Sequence, residues 1–371
     1  MPAKHRLTSE LVGVAMIGAG FIAEYHLGGL AAAGGASVRL IAGRNPDKAR
    51  QLAARFGVHE SSGDWRRALD RADVDAVIIA TPDDTHEQIA LAAAAAGKHI
   101  LVQKPMAGSV AACERIMQGA RSAGVDLQVS FMHRYFEEVQ QARELLAAGA
   151  IGPVHSIRIR NATAGPDWGD WFFDPACVAH GVVDQLGVHG IDLATWLLGP
   201  IRNVCARVEI QLPTRRLRDG RIVAVNAPDT AIASYGFGAA AGPGAGASET
   251  IAPVGSHEMS MIEAQGCDRF RIELYGERGT IWLRSERGRL AIWAPHLHGQ
   301  VWHVPLLEEA PLGQRHHARW LGGLRDESAR EHTAAQALAG MQVVEAIHRS
   351  ASSGGVRVEV GVGDEAETSH G

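Results

Sequence analysis

Residues 14–30 read VAMIGAGFIAEYHLGGL, and the fold is decided in this run. An apolar stretch ends at Gly18, a second glycine follows at Gly20, and the small Ala23 completes a GxGxxA spacing as helix-forming residues begin. The first glycine permits a tight strand-to-helix turn. The second lets a phosphate approach bare backbone, and the small third residue lets helix pack on strand. The N–H groups of the helix start then face an anion. The pattern predicts a dinucleotide site with Gly18, Gly20, Phe21, Ile22 and Ala23 against the pyrophosphate.

Outward from this run, β-rich segments (VGVAMI, SVRLIA, DAVIIA, HILVQK, DLQVSF) alternate with Ala-rich stretches of helical length from residue 11 to 132. That rhythm implies βαβ units and a parallel Rossmann sheet, and near-continuous apolar strands suit a sheet covered on both faces. Asn45-Pro46 starts one helix and Gly57 ends it. An acid that would hold the adenosine ribose is expected about 20 residues after the glycines. Gly43-Arg44-Asn45 stands there instead. With no carboxylate to repel a 2′-phosphate and Arg44 placed to pair with it, NADP is expected over NAD.

After the helix FEEVQQARELLAAGAIG the pattern changes. A strand (HSIRIRN), a loop rich in Trp, Gly, Asp and Pro, and a helix from about Ala179 to Leu198 lead into period-two runs: VCARVEI, IASYGF, FRIELYG, TIWLRS and LAIWAP. Turns at Glu277-Arg278-Gly279 and Arg287-Gly288 join them. These runs predict an α+β domain over 133–363 with an open, mainly antiparallel sheet. Within it, residues 238–254 form a Gly/Ala-rich loop. A helix from about Ala334 to Ser350 precedes the strand VRVEV, and 364–371 is a polar tail.

The composition bounds the partners. The 371 residues are 46% hydrophobic and carry a formal net charge of -5 spread over both halves, which is enough for two cores and offers no basic stripe for nucleic acid. A small-molecule ligand follows. Cys113, Cys177, Cys205 and Cys267 form no CxxC pair, so neither a disulfide framework nor a zinc site is expected. No stretch has the length of a signal peptide or membrane span, and a cytoplasmic protein without membrane partners is expected.

Residues 79–107, IATPDDTHEQIALAAAAAGKHILVQKPMA, resemble the signature of the glucose-fructose oxidoreductase / inositol dehydrogenase / rhizopine-catabolism (Gfo/Idh/MocA) family, with Ala-Thr-Pro, a later His, Gly-Lys-His, and Glu-Lys-Pro written here as Gln103-Lys104-Pro105. The likeness continues through RYF (134–136), WFFDP (171–175), GVHGID (187–192), ELYGERGTIWL (273–283) and QVVEAIHRS (342–350), almost the whole chain. The resemblance implies a nicotinamide-dependent dehydrogenase of a sugar, polyol or cyclic diol, with Thr81, Pro82, His86, Gln103 and Lys104 at the cofactor, and commonly a homodimer or homotetramer. Relatives that recycle a tightly bound cofactor on glycosides, and others that sense nicotinamide as regulators, mark two alternative readings.

By the same resemblance Lys104 lies beside nicotinamide and substrate hydroxyl, where a buried ammonium polarises the oxygen. Pro105, often cis in relatives, aims it. Gln103 replaces the family glutamate and removes a charge, so Lys104 holds its proton less tightly. His189 stands where the family histidine stands, and its ordinary pKa suits it to carry the hydroxyl proton. Gln185 occupies the slot four residues before it, where the family places an aspartate. On a regular helix Gln185, His189, Asp192 and Trp196 share a face, with Asp192 able to orient the imidazole and Asp184 off that face. Trp168, Trp171, Phe172 and Phe173 line either a sugar site or an apolar core. Arg134 and Tyr135 are candidate pocket walls for the substrate. His180 and Asp184 have an i,i+4 metal spacing without a third ligand, so no metal is expected. His257, His316 and His317 lack a partner pattern and are expected at the surface.

Overall fold

In the computed structural model, which describes residues 10–238, 252–264, 269–284 and 289–361, alternating strands and helices build a parallel sheet first. These are β1 (Val12–Ile17), α1 (Phe21–Ala33), β2 (Ala36–Ala42), α2 (Pro46–Arg55), β3 (Ser61–Ser62), α3 (Arg66–Leu69), β4 (Ala76–Ile79), α4 (His86–Ala95), β5 (His99–Gln103), α5 (Val110–Ala123) and β6 (Leu127–Ser130). Among the described residues the sheet has six strands in the order β3-β2-β1-β4-β5-β6, all parallel. Every residue of β1, β4 and β5 is buried, as a sheet covered on both faces requires. The Asn45 side chain accepts hydrogen bonds from the N–H groups of Asp47 and Lys48 to cap α2, whose first position is Pro46.

The chain continues with α6 (Glu137–Ala147), β7 (Val154–Ala162), a π-helical turn at Val183–Gly187, α7 (Val188–Leu198), β8 (Ile201–Glu209), β9 (Thr214–Arg216), β10 (Ile222–Ala224), β11 (Thr230–Phe237), β12 (Val254–Ser260), β13 (Phe270–Gly276), β14 (Gly279–Arg284), β15 (Arg289–Trp293), α8 (Pro295–His298), β16 (Trp302–His303), α9 (Gln314–Arg325), α10 (Thr333–Ser352) and β17 (Val358–Glu359). Nine of these strands form a sheet in the order β16-β15-β14-β13-β7-β12-β11-β8-β17 among the described residues. Only the β7/β12 pair in it is parallel, so the sheet is mixed and mostly antiparallel. Burial alternates along β11 and β12, with one face on the core and one toward solvent. The short β9/β10 hairpin stands apart from it and went unread in the sequence, because RRLRDGRI carries little apolar alternation.

By contacts the chain forms two units, Met1–Tyr135 with Glu309–Leu338, and Phe136–Glu308 with Ala339–Gly371. The sequence pattern places 133–363 in the second, with 364–371 as a tail. The return of 309–338 to the first has a physical cause: Trp320, Leu321 and Leu324 of α9 are buried in one cluster with Val12, Leu27, Leu30 and Ala53. Most of the Gly/Ala loop at 238–254, the turn at Arg287-Gly288, Cys267 and the polar tail at 364–371 lie outside the described residues. Cys113 is buried, and Cys177 and Cys205 are half-buried. Among the described residues no helix is long and apolar enough to cross a membrane, and no cluster of three His, Cys, Asp or Glu side chains is placed to hold a metal.

Candidate active site

Gly18 leaves β1 at a φ of 120°, and a Cβ there would lie 2.2 Å from the carbonyl oxygen of Ala80. Only glycine accommodates both conditions, so the β1 turn sits directly on the end of β4. Gly20 is the N-cap of α1 and offers no side-chain cap; a Cβ there would meet nothing within 4 Å. The start of α1 is thus left uncovered on the side a phosphate would approach. Ala23 is fully buried in the core cluster, as the packing role of the third motif position demands, while Phe21 is exposed. The residues present fit a dinucleotide pyrophosphate.

At the end of β2, Arg44 is exposed and Asn45 spends its side-chain oxygen on the α2 cap. Thr81 and Pro82 follow β4, with the Thr85 hydroxyl donating to Thr81 Oγ1 at 2.7 Å. His86 is completely buried, with Nδ1 3.0 Å from the carbonyl of Pro105 and Nε2 2.9 Å from that of Thr81. Burial lowers its pKa, against the pull of those carbonyls. It therefore stitches the loop after β4 to the loop that carries Lys104. The Lys104-Pro105 peptide bond is cis. Gln103 is buried, its Oε1 accepting from the Lys104 backbone N–H at 3.2 Å and its Nε2 lying 2.8 Å from His26 Nε2.

His316 and His317, expected at the surface, are buried with His26 and Tyr25 between α1 and α9. The pairing joins positions 291 residues apart, which no local pattern announces. His257 is likewise fully buried, held between Tyr235 at 2.9 Å and Asn161 at 2.7 Å. Burial pushes it down to about 3. A glycine at 190 explains the fit, since a Cβ on this α7 residue would come within 2.6 Å of Asn161 Oδ1 and the His257 ring.

In the second unit, the helix expected from Ala179 begins as the π-turn, where the Val188 N–H reaches back five residues to the carbonyl of Val183. The turn holds one residue more than an α-turn, so regular α-phasing of 185, 189, 192 and 196 applies only from Val188 onward. His189 and Asp192 are buried on α7, at 8% and 3% exposure, and Gln185 is half-buried. Asp184 lies within the π-turn, five residues before His189. It is 1% exposed, and its Oδ2 accepts from the His180 backbone N–H at 2.8 Å and from Nδ1 at 3.0 Å. Burial works against the charged imidazole, yet the Asp184 carboxylate holds His180 above its ordinary pKa. His348, whose ring lies 4.6 Å from that of His180, is pushed down to about 4 by burial and by His180.

The aromatic loop divides between buried and exposed rings. Phe172 and Phe173 are buried with Leu217 and Val225 against the β9/β10 hairpin, and Trp171 stacks on Phe172 at 3.6 Å. Trp168 is 49% exposed beneath the Arg218 guanidinium. Ion pairs Arg218–Asp167 and Arg221–Asp170, at 2.6 and 2.9 Å, fasten loop to hairpin. Arg134 is buried and donates to Gln336 Oε1; Tyr135 donates its hydroxyl to Glu331 and stacks on His316. Both thus tie the end of the first unit's sheet to the segment that returns to it.

Known proteins are similar to this chain in sequence and in fold. The model of an oxidoreductase family with an NAD-binding Rossmann fold matches residues 12–131, and the model of that family's C-terminal domain matches 139–282. The levoglucosan dehydrogenase of Pseudarthrobacter phenanthrenivorans is 33% identical over 224 residues, 56% of this chain and 57% of that protein. The match therefore spans little more than half of that relative's length. The D-apiose dehydrogenase of Rhizobium rhizogenes is 25% identical over 359 residues, 93% of this chain and 96% of its own. A solved levoglucosan dehydrogenase, in complex with NADH and L-sorbose, shares the fold at a TM-score of 0.81 and 24% identity over 94% of this chain and 98% of its own. A protein of gentamicin A biosynthesis in complex with NAD superposes at 0.76 with 28% identity, over 98% and 99%. With both halves matched in order and the glycine cradle built as the motif requires, this chain belongs to the Gfo/Idh/MocA oxidoreductase family, with an NAD-binding Rossmann fold.

Proposed function

We propose that the protein is a nicotinamide-dependent dehydrogenase that moves a hydride between a secondary alcohol carbon of a sugar, polyol or cyclic diol and the cofactor. The observation that carries this reading is the pairing of an open glycine cradle at the start of α1 with Lys104 immediately after β5, in a chain whose relatives include levoglucosan, myo-inositol and D-apiose dehydrogenases. The nicotinamide, when bound, accepts or returns the hydride. Lys104 polarises the substrate oxygen, and His189 carries the hydroxyl proton. Gln185 and Asp184 precede that histidine by four and five residues, and Asp184 is buried in the π-turn with its carboxylate on His180. Arg44, exposed at the end of β2 with no carboxylate partner among the described residues, favours NADP; the NADH and NAD complexes of the relatives favour the opposite choice for those proteins. The β-rich unit binds substrate and associates with further copies of the chain.

The test is reduced-cofactor formation with levoglucosan, myo-inositol and D-apiose, each with NAD and with NADP. Turnover of at least one is expected. Lys104→Met and His189→Asn should each lower it by about 100-fold or more while cofactor binding persists. Unchanged turnover in both variants would remove them from the mechanism.

A further inference from the structure

Gln103 sits where the family writes a glutamate, and the structure supplies a reason. Its side chain joins a buried line of four groups. The Lys104 backbone N–H lies 3.2 Å from Gln103 Oε1, Gln103 Nε2 2.8 Å from His26 Nε2, His26 Nδ1 2.9 Å from His317 Nε2, and His317 Nδ1 2.7 Å from the carbonyl of Gly313. The two ends are backbone groups of fixed polarity, an N–H that can only donate and a carbonyl that can only accept. They set every bond between them. His317 must carry its proton on Nδ1 to reach Gly313, which leaves Nε2 to accept. His26 must then donate from Nδ1, which leaves its own Nε2 to accept, and the donor facing it is the Gln103 amide. The second amide proton points to Ser130 Oγ at 3.3 Å. A carboxylate at 103 has no proton to give and would face a bare imidazole nitrogen.

We infer that Gln103 is the donor end of a one-way, uncharged hydrogen-bond relay, Gln103–His26–His317–Gly313, which makes it a positioning residue for Lys104 and keeps negative charge away from the lysine. The inference rests on the reading of Lys104 given above. The relay also links three elements: α1, which begins at the glycine cradle, β5, which ends at Gln103, and α9. Gly29 on α1 makes room for it, since a Cβ there would fall 2.3 Å from His317 Nδ1. The groups around the two rings are Tyr25 on α1, His316 on α9 and Ser130 on β6. Beyond His316 stands Tyr135, bonded to Glu331, which also meets Arg319 at 3.3 Å. Burial, and for His26 also the neighbouring His317, lowers both relay histidines, His317 to about 4, in keeping with neutral rings.

The direction of the relay is read directly from long-range proton–nitrogen correlations of histidine-labelled protein at neutral pH. Both His26 and His317 are expected as neutral Nδ1–H tautomers; an Nε2–H signal for either overturns the relay, whatever Lys104 does. In Gln103→Glu, His26 Nε2 has to take a proton to meet the carboxylate, and the same spectrum should show it; an unaltered tautomer also overturns the proposal. Charge at the lysine is read without any substrate, from the pH dependence of Lys104 acetylation by trace acetic anhydride, quantified on its peptide by mass spectrometry. In Gln103→Glu combined with His26→Phe, where no imidazolium offsets the carboxylate, the labelling midpoint should rise by about half a unit or more. An unmoved midpoint in a folded double variant confines the relay to packing and refutes the positioning role. If the relay stands but Lys104→Met keeps full turnover, the assignment of the lysine fails instead.

Discussion

In the proposed reading, cofactor choice turns on Arg44. Arg44→Ala is expected to weaken NADP binding by about tenfold or more, the loss of one charge-assisted contact, and to leave NAD binding unchanged. Titration of the variant with each cofactor checks it, and equal losses for both would show that Arg44 does not meet the 2′-phosphate. Single residues were legible in the sequence to different degrees. Gly18 and Ala23 could be read because a turn with a φ of 120° and a close strand-helix contact admit few alternatives. The burial of His316 and His317 could not, because their partners Tyr25 and His26 lie almost three hundred residues away, at a separation of 291. A histidine without local partners reads as exposed until tertiary packing brings them.

Among elements, the π-turn before α7 shows how one residue alters a site. A π-turn accommodates a single extra residue within a helix. Deletion of Gln185 should therefore relax Val183–Gly187 to α-geometry and leave Asp184 four residues before His189. The shortened protein is expected to melt within a few degrees of the parent and to keep turnover within about tenfold, whereas Asp184→Ala loses more. A folded deletion variant as inactive as Asp184→Ala would show that the extra residue is not a neutral insertion. The sequence pattern called for one regular helix here because hydrophobic periodicity does not distinguish 3.6 residues per turn from a single wider turn. α9 is a further case: it went unread in the sequence, and nothing local says that Trp320 packs with Leu27 rather than with the sheet that precedes it in the chain.

Across the whole molecule, buried neutral histidines couple folding to pH. His257 is held near 3, and His317 and His348 near 4. Unfolded histidines titrate near 6.5. Below that pH the unfolded chain binds protons that the native state refuses, so stability is full above about 6.5 and falls as pH drops toward 4. Each histidine held near 4 contributes up to about 3 kcal/mol of this loss. Thermal melts should therefore show a steep fall in midpoint between pH 6.5 and 4.5. His257→Asn, which keeps polar reach to Tyr235 and Asn161, should flatten it. A level profile across that range in the parent protein would contradict the neutral, buried state of these rings.

Local spacing along the chain is enough to specify the parallel sheet, the glycine turn at the start of α1, the mostly antiparallel second sheet and the family: the period of apolar residues, the punctuation by Asn45-Pro46 and Gly57, and the motif glycines. Packing was needed to reveal the return of 309–338 to the first unit, the π-turn before α7, and the hydrogen-bond partners of Gln103. Those depend on which apolar faces meet and on how many residues one turn holds. Neither is written in the spacing of the chain, because burial against a distant segment rewards hydrophobicity without specifying the partner.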